Sequence, residues 1–239
     1  MTTPPRVLAL IQARMGSTRL PGKALRLLNR QAIIDWVVQR VSYASLIDKL
    51  VVAIPDTVQD EPLAAHLHER GIAVFQGPED DVLARFIKAG AWAGAGPETL
   101  VIRICADNPF LWGNEIDALV RHFRQTPCDY AYNHIPRNNA YPDGLGAEIL
   151  RYSLLCRMGE SATLAAHREH CLSYLWDNAG QFRISTFDPA DPALRRPDVK
   201  LDIDTEADFL ALERLGAAPD MPPADIIRLY DTALAGQKH

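Results

Sequence analysis

The sequence has little of what marks several protein classes. Its 239 residues include only four cysteines, and no two form a C-x-x-C pair, so no disulfide framework or paired-cysteine metal site is indicated. No apolar run approaches the length of a membrane span, and no secretory-type apolar stretch follows the short leader at 1–5. Basic residues (25) are fewer than acidic ones (30). We therefore expect a protein of the reduced cytoplasm that binds neither nucleic acid nor a membrane.

Two familiar phosphate-binding patterns are also missing. A Walker loop has four residues between its glycines, followed by Lys and then Ser or Thr. Here five residues separate Gly16 from Gly22, and Ala24 follows Lys23. The dinucleotide pattern G-x-G-x-x-G does not occur either. Any phosphate site in this chain must therefore have a different construction.

What the sequence does contain is an alternation of strand and helix patterns, with 48% apolar residues to fill a core. The predicted strands are 7–11, 49–54, 72–76, 100–105 and 129–132. The predicted helices are 31–44, 62–70, 82–93, one around 116–123, 207–216 and 223–235. Four successive strand–helix units predict one Rossmann-like α/β domain, 1–239, with a mostly parallel sheet flanked by helices. After Tyr130 the alternation breaks, and 134–148 is irregular.

The loop after the first strand concentrates positive charge in an acidic protein. Arg14, Arg19 and Lys23 follow the buried strand, and Gly16 and Gly22 allow tight turns that bring the backbone close to a ligand. Three cations at a strand end suit a polyanion, and a phosphate chain fits best. The alternative is a surface turn that happens to be basic. On either interpretation we expect Lys23 to lie in an exposed loop.

Aspartates follow at two other places where strands are predicted to end. Asp107 comes just after the strand at 100–105 and is placed to hold Mg²⁺, although an aspartate there is also a common turn former or helix cap. Alternation along 201–204 puts Leu201 and Ile203 on one face of a strand and Asp202 and Asp204 on the other. Two such carboxylates repel each other unless a cation lies between them. The alternative is an exposed strand edge running into a helix that starts at Asp204.

The first loop also carries a resemblance. The stretch from Gln12 to Lys23, QARMGSTRLPGK, resembles the signature of cytidylyltransferases that make CMP-activated sugars, including the CMP-Kdo and CMP-acylneuraminate synthetases. It is most similar to the branch related to spore-coat polysaccharide biosynthesis proteins. The resemblance implies a Mg²⁺-dependent homodimer that transfers CMP from CTP to a hydroxyl of an acidic or modified sugar, releasing pyrophosphate. Alternatives are another NTP or a non-sugar acceptor, a glycosyltransferase of related fold, and a nucleotide-binding regulator without catalysis.

The resemblance implies roles for particular residues. Nucleotide binding falls to Ala13, Arg14, Gly16, Ser17, Arg19 and Lys23, with Arg14 and Lys23 neutralising the phosphates during catalysis. Asp107 matches the aspartate of a G-D-x-P segment, with Ala106 in place of the glycine, and a D-I-D-T-x-x-D-F block matches Asp202 and Asp204. Asp107 and Asp204 are then the metal ligands, and Asp202 supports a second metal ion or acts as the base.

Other matches concern the nucleobase and the acceptor. The acidic segment before the helix at 82–93 resembles an E-D-D-V-L motif, so Asp81 is expected to cap that helix and could also line the nucleobase side. A P-D-G-L segment and an R-E-H segment imply that the acceptor meets Asp143, Glu148, Arg168, Glu169 and His170. The same comparison implies an insert at 134–180 used for dimerisation. The alternatives are a plain hairpin turn at Pro142–Gly144 and a zinc site at His167, His170 and Cys171, for which no nearby residue supplies a fourth ligand.

Overall fold

A seven-stranded sheet lies at the centre of the computed structural model, which describes residues 4–236. The leader predicted at 1–5 therefore falls partly outside the described residues, as do 237–239. The strands are Val7–Gln12 (β1), Leu27–Leu28 (β2), Gln31–Ala32 (β3), Lys49–Pro55 (β4), Val74–Gly77 (β5), Leu100–Cys105 (β6), Tyr130–Tyr132 (β7), Glu148–Arg151 (β8) and Ile184–Ser185 (β9). The order is β5-β4-β1-β6-β8-β7-β9, and β2 and β3 form a separate hairpin.

Neighbouring strands from β5 to β6 are parallel, whereas β8 runs antiparallel to both β6 and β7. The helices are Ile33–Val41 (α1), Glu61–Glu69 (α2), Val82–Trp92 (α3), Gly113–Gln125 (α4), Tyr152–Ser161 (α5), Ala165–Glu169 (α6), Ser173–Asp177 (α7), Glu206–Glu213 (α8) and Pro223–Gly236 (α9). Short 3-10 helices cover Lys23–Leu25, Val58–Asp60, Ala179–Gln181 and Pro192–Leu194. The predicted α/β fold with a mostly parallel sheet is confirmed. Among the described helices, none has the length and apolar character needed to span a bilayer.

Side chains of β1 alternate between two apolar layers, which shows why this strand has no polar face. Ala9 and Ile11 pack in a core with α1, α2 and α4, and Leu8 and Leu10 pack in a second core with α3 and α5. A third apolar cluster joins α1 to α8 and α9. A strand buried on both faces is a near-continuous apolar run, as parallel sheets require.

Two of the predicted elements are different in the structure. Residues 31 and 32 form β3 and not the first turn of a helix, so α1 begins at Ile33. The strand predicted at 201–204 is wrong, because this segment joins no sheet. Its backbone instead bonds to two loops: Leu201 N–H donates to Asp143 O at 2.9 Å and Ile203 N–H to Asp107 O at 2.8 Å. The predicted alternation nevertheless holds, since Leu201 and Ile203 are fully buried.

Part of the region predicted as an insert belongs to the main layers of the domain. Within 134–180, β8 lies in the central sheet between β6 and β7, and α5 packs against α3. The pairing places Glu148 directly opposite Arg103 of β6. A role of this region in dimerisation stays a prediction.

Arg40 of α1 is a fully buried arginine whose guanidinium donates to four backbone oxygens. It donates to the carbonyls of Phe110 and Leu111, which precede α4, and to those of Pro219 and Met221, which lie between α8 and α9. Burial lowers its pKa to about 9. The side chain therefore ties three separate parts of the chain together.

Candidate active site

The first loop folds back over the strand ends and places a lysine among acidic groups. Gly22 has φ +69°, a conformation that glycine adopts without strain, and the chain then turns into the 3-10 helix that begins at Lys23. Lys23 Nζ lies 2.7 Å from Ile203 O and 3.2 Å from Asp107 Oδ2. Only 15% of the lysine side chain is exposed, so the expectation of an exposed Lys23 is wrong. Its charge is held at the junction of three loops.

A pocket of about 260 Å³ opens at the carboxyl ends of β1 and β6. This is the edge where parallel α/β sheets bind ligands. Seven predicted site residues line it: Ala13, Arg14, Ser17, Arg19, Lys23, Asp107 and Asp204. Gly16 lies in the same loop but is not among the lining residues. Residues from the two ends of the sequence thus meet at one site.

Asp204 contributes its carboxylate to this pocket because another residue caps α8. Thr205 Oγ1 accepts from Asp208 N–H at 3.2 Å, and Asp208 Oδ2 accepts from Thr205 N–H at 2.8 Å, which is a capping box. The alternative in which Asp204 starts the helix is therefore wrong. Asp204 Oδ1 instead accepts from Arg19 Nη2 at 2.7 Å, across the pocket mouth.

Two further predicted acids, Asp143 and Asp202, lie beside the pocket and not among its lining residues. Burial, together with the charge of Asp202, raises the pKa of Asp143 to about 6. Burial also raises the pKa of Asp202, whose Oδ1 lies 3.2 Å from Lys200 Nζ. Gly144 has φ +85°, and a Cβ there would lie 2.8 Å from the Asp202 backbone nitrogen. Only glycine fits there, so the Pro-Asp-Gly turn packs tightly against the second aspartate segment.

The carboxylates suit a metal ion that completes its coordination with substrate oxygens. Within residues 4–236, no group of three or more His, Cys, Asp or Glu side chains is arranged to hold a metal alone. Mg²⁺ usually binds through one or two carboxylates together with phosphate oxygens and water. Asp107 and Asp204, which line the same pocket as the loop cations, fit that pattern. At the alternative zinc position, His167 Nε2 lies 2.8 Å from Asp177 Oδ2.

The predicted cap at Asp81 is confirmed, and its second oxygen also has a partner. Oδ1 accepts from Ala84 N–H at 2.8 Å, and Oδ2 lies 2.6 Å from Arg168. Arg168 also donates to the carbonyls that end α5. Glu169 and His170 are exposed. None of these four residues lines the pocket, so their contacts with a nucleobase or an acceptor stay predictions.

Arg103 of β6 also lines the pocket, although it is not among the site residues predicted from the sequence. Its Nε and Nη2 donate to Gln12 Oε1, and its Nη1 pairs with Glu148. Glu148 is almost fully buried and also accepts from Tyr130 Oη. Burial opposes ionisation of this carboxyl, but Arg103 and His134 lower its pKa below the usual value. Glu148 thus lies behind Arg103, and its predicted contact with an acceptor stays untested.

A visible signal could have revealed Arg103. It is a charged residue in the middle of LVIRIC, an otherwise uncharged run that predicts a buried strand. A charge at such a position needs a partner and is unusual without a function. No local pattern indicates that Glu148 pairs with Arg103, because Glu148 lies on a strand 45 residues further along the chain than Arg103.

Comparison with known proteins agrees with this geometry. The sequence profile of a family described as Cytidylyltransferase matches residues 8–237. The chain belongs to the cytidylyltransferase family. It is 35% identical over 235 residues to the spore coat polysaccharide biosynthesis protein SpsF of Bacillus subtilis, covering 94% of each chain.

Two other similarities are more distant. Over 123 residues the chain is 29% identical to 3-deoxy-manno-octulosonate cytidylyltransferase 2 of Hydrogenovibrio crunogenus, covering 51% of this chain and 48% of that protein. Its fold matches the solved structure of a cytidylyltransferase from Leptospira borgpetersenii with a TM-score of 0.85 at 24% identity, covering 97% of this chain and 96% of the other. The resemblance expected from the first loop is therefore confirmed along nearly the whole chain.

Proposed function

We propose that this cytidylyltransferase transfers CMP from CTP to a hydroxyl of an acidic or modified sugar, with release of pyrophosphate, for synthesis of a surface polysaccharide or glycoconjugate. The observation that carries the proposal is the single pocket in which loop cations face two strand-end carboxylates. The polysaccharide role is supported by the name of SpsF, and the sugar-acid acceptor by the name of the octulosonate enzyme.

The proposed reaction is an in-line attack of the sugar hydroxyl on the α-phosphate. Arg14, Arg19 and Lys23 bind and neutralise the β- and γ-phosphates, which leave as pyrophosphate. Asp107 and Asp204 would hold Mg²⁺. When bound, this ion would neutralise negative charge on the phosphate oxygens and make a bound hydroxyl more acidic. Asp202 is proposed to take the hydroxyl proton or to support a second ion.

Pyrophosphate release tests the function directly. We expect release with CTP in the presence of Mg²⁺ and a sugar acid, and much less with ATP, GTP or UTP. A panel of sugar acids and neutral sugars, each with the four nucleotides, gives the measurement. Release of pyrophosphate with another nucleotide would show that the enzyme prefers a base other than cytosine. Turnover of a nucleotide sugar without any triphosphate would indicate a glycosyltransferase. No release with any pair would contradict catalysis.

We also propose a homodimer, formed through the region 134–180. This rests on the family resemblance of that region, part of which lies outside the central sheet. Light scattering at micromolar concentration is expected to give about twice the chain mass of 26.5 kDa. A mass near that of one chain, unchanged at higher concentration, would contradict the proposed dimer.

A further inference from the structure

The Arg103–Glu148 pair is difficult to explain by stability alone. The two side chains face each other on neighbouring antiparallel strands, with 17% and 4% of their surfaces exposed. The next pair on the same face of these two strands, Val101 and Leu150, is apolar and fully buried. A buried ion pair seldom stabilises a fold more than an apolar pair of similar volume would. Arg103 of this pair also lines the pocket, where its charge can serve a ligand.

The hydrogen bonds of Arg103 leave part of its guanidinium available. An arginine carries five N–H groups, one on Nε and two on each terminal nitrogen. Within the described part of the chain, Gln12 takes one from Nε and one from Nη2, and Glu148 takes one from Nη1. One N–H on each terminal nitrogen remains. Neighbouring N–H groups of this kind bind carboxylate and phosphate oxygens in pairs.

The side chain is also held more rigidly than Arg19 of the first loop. Glu148 is fixed by Tyr130 Oη, the rings of Tyr130 and Tyr132 stack with centroids 5.8 Å apart, and His134 lies 3.9 Å from the carboxylate. By contrast, 63% of the Arg19 side chain is exposed. A donor fixed in advance loses little freedom when it binds, which favours selective contact with one group.

We propose that Arg103 binds an oxyanion of the substrates inside the pocket, and that Gln12, Glu148 and Tyr130 act through it as positioning residues. The oxyanion is either the α-phosphate of CTP or the carboxylate of a sugar acid. This inference rests on the proposed function and goes further, because it assigns anion recognition to the sheet, separately from the triphosphate loop. It also assigns Glu148 to orienting Arg103 and not to touching the acceptor.

The test compares affinities of ligands that differ in one anionic group. Isothermal calorimetry with CTP, CMP and cytidine is performed on the wild type, Arg103→Met, Arg103→Lys and Glu148→Gln. Arg196→Met is the matched control, since this arginine pairs with Asp198 and Asp231 on the surface away from the pocket. The double variant Arg103→Met with Glu148→Met keeps the site apolar and folded if the single substitution does not.

If the oxyanion is the α-phosphate, Arg103→Met weakens the binding of CMP and CTP roughly 10- to 100-fold, as loss of a charge-assisted contact does, and leaves the affinity for cytidine unchanged. If it is the acceptor carboxylate, nucleotide affinities stay constant and the same loss appears with 3-deoxy-manno-octulosonate as the probe. Arg103→Lys recovers only part of either loss, because a lysine cannot present paired donors. Glu148→Gln weakens binding of the same ligand as Arg103→Met does. A purely structural role of Glu148 would instead weaken binding of all ligands, cytidine included.

Unchanged affinity of Arg103→Met for CTP, CMP and the sugar acid would overturn the inference, as would full recovery by lysine. The inference and the proposed function can fail separately. A specific loss of CMP affinity supports the Arg103 contact even if no sugar is turned over, and turnover without any such loss supports only the function.

Discussion

Replacing Asp204 with Asn is expected to abolish cytidylyl transfer and to leave the fold intact. The substitution keeps the shape of the side chain and removes the charge that pairs with Arg19 and lies in the same pocket as Lys23 and Asp107. Loss of one such electrostatic partner typically costs about 3–4 kcal/mol of barrier, or a factor of roughly 10²–10³ in turnover. The helix that follows is unaffected, because Thr205 and Asp208 form its cap. Asp143 should also ionise more easily, since the charge of Asp204 contributes to its raised pKa.

The measurements are pyrophosphate release, thermal unfolding and the extra stabilisation that Mg²⁺ gives in the presence of CTP. A ligand stabilises only the state that binds it, so the Asp204→Asn protein should lose the part of the thermal stabilisation by CTP that depends on Mg²⁺. Asp198→Asn is the matched control, because that aspartate pairs with Arg196 on the surface. A folded Asp204→Asn protein with near-normal turnover would refute the two-aspartate metal site.

Replacing Lys23 with Met is expected to weaken CTP binding by roughly 10- to 100-fold, the usual cost of losing one charge-assisted contact. Methionine keeps most of the buried stem, which matters because only 15% of the side chain is exposed. A moderate loss of stability is also expected, since Asp107 and the carbonyl of Ile203 each lose a partner. In the exposed loop expected from the sequence, the same substitution would leave the stability of the fold nearly unchanged.

Calorimetry with CTP, CDP and CMP separates these effects. The loss of affinity should be largest for CTP and smallest for CMP, because Lys23 is assigned to the β- and γ-phosphates, which CMP lacks. Lys88→Met provides the control, as this lysine is exposed on α3. Equal affinity of a folded Lys23→Met protein for CTP would contradict the assignment of Lys23 to the triphosphate.

The sequence was sufficient to predict the parallel half of the sheet, because apolar runs such as Leu100–Cys105 and helical spacing in α1 and α3 are local signals. The other half, in which β8 is antiparallel to β6 and β7 while β9 is parallel to β7, depends on pairing between short strands far apart in sequence. β8 and β9 have four and two residues, too few for a periodic pattern, and neither was predicted. The pairing of Arg103 with Glu148 could not be predicted for the same reason.

For the candidate active site, the sequence likewise indicates which residues take part but not how they are arranged. The cations of the first loop and the aspartates Asp107 and Asp204, which line one pocket, could be singled out from the sequence, because dense charge at strand ends is visible without a structure. Their mutual arrangement was not, since the bonds of Lys23 to Asp107 and Ile203 join segments 84 and 180 residues apart. The contact of 201–204 with the loops at 107 and 143 depends on the tertiary fold in the same way, which is why local alternation was interpreted as a strand.

The bonds of Arg40 have a consequence for how the protein opens. The carbonyl oxygens of Phe110, Leu111, Pro219 and Met221 all accept hydrogen bonds from this one guanidinium. Detaching α9 with the segment before it would leave a buried cation short of acceptors, which is costly. The C-terminal helices therefore should not fray as an independent unit. Their amide hydrogens should exchange with solvent only in the cooperative opening that also releases α1.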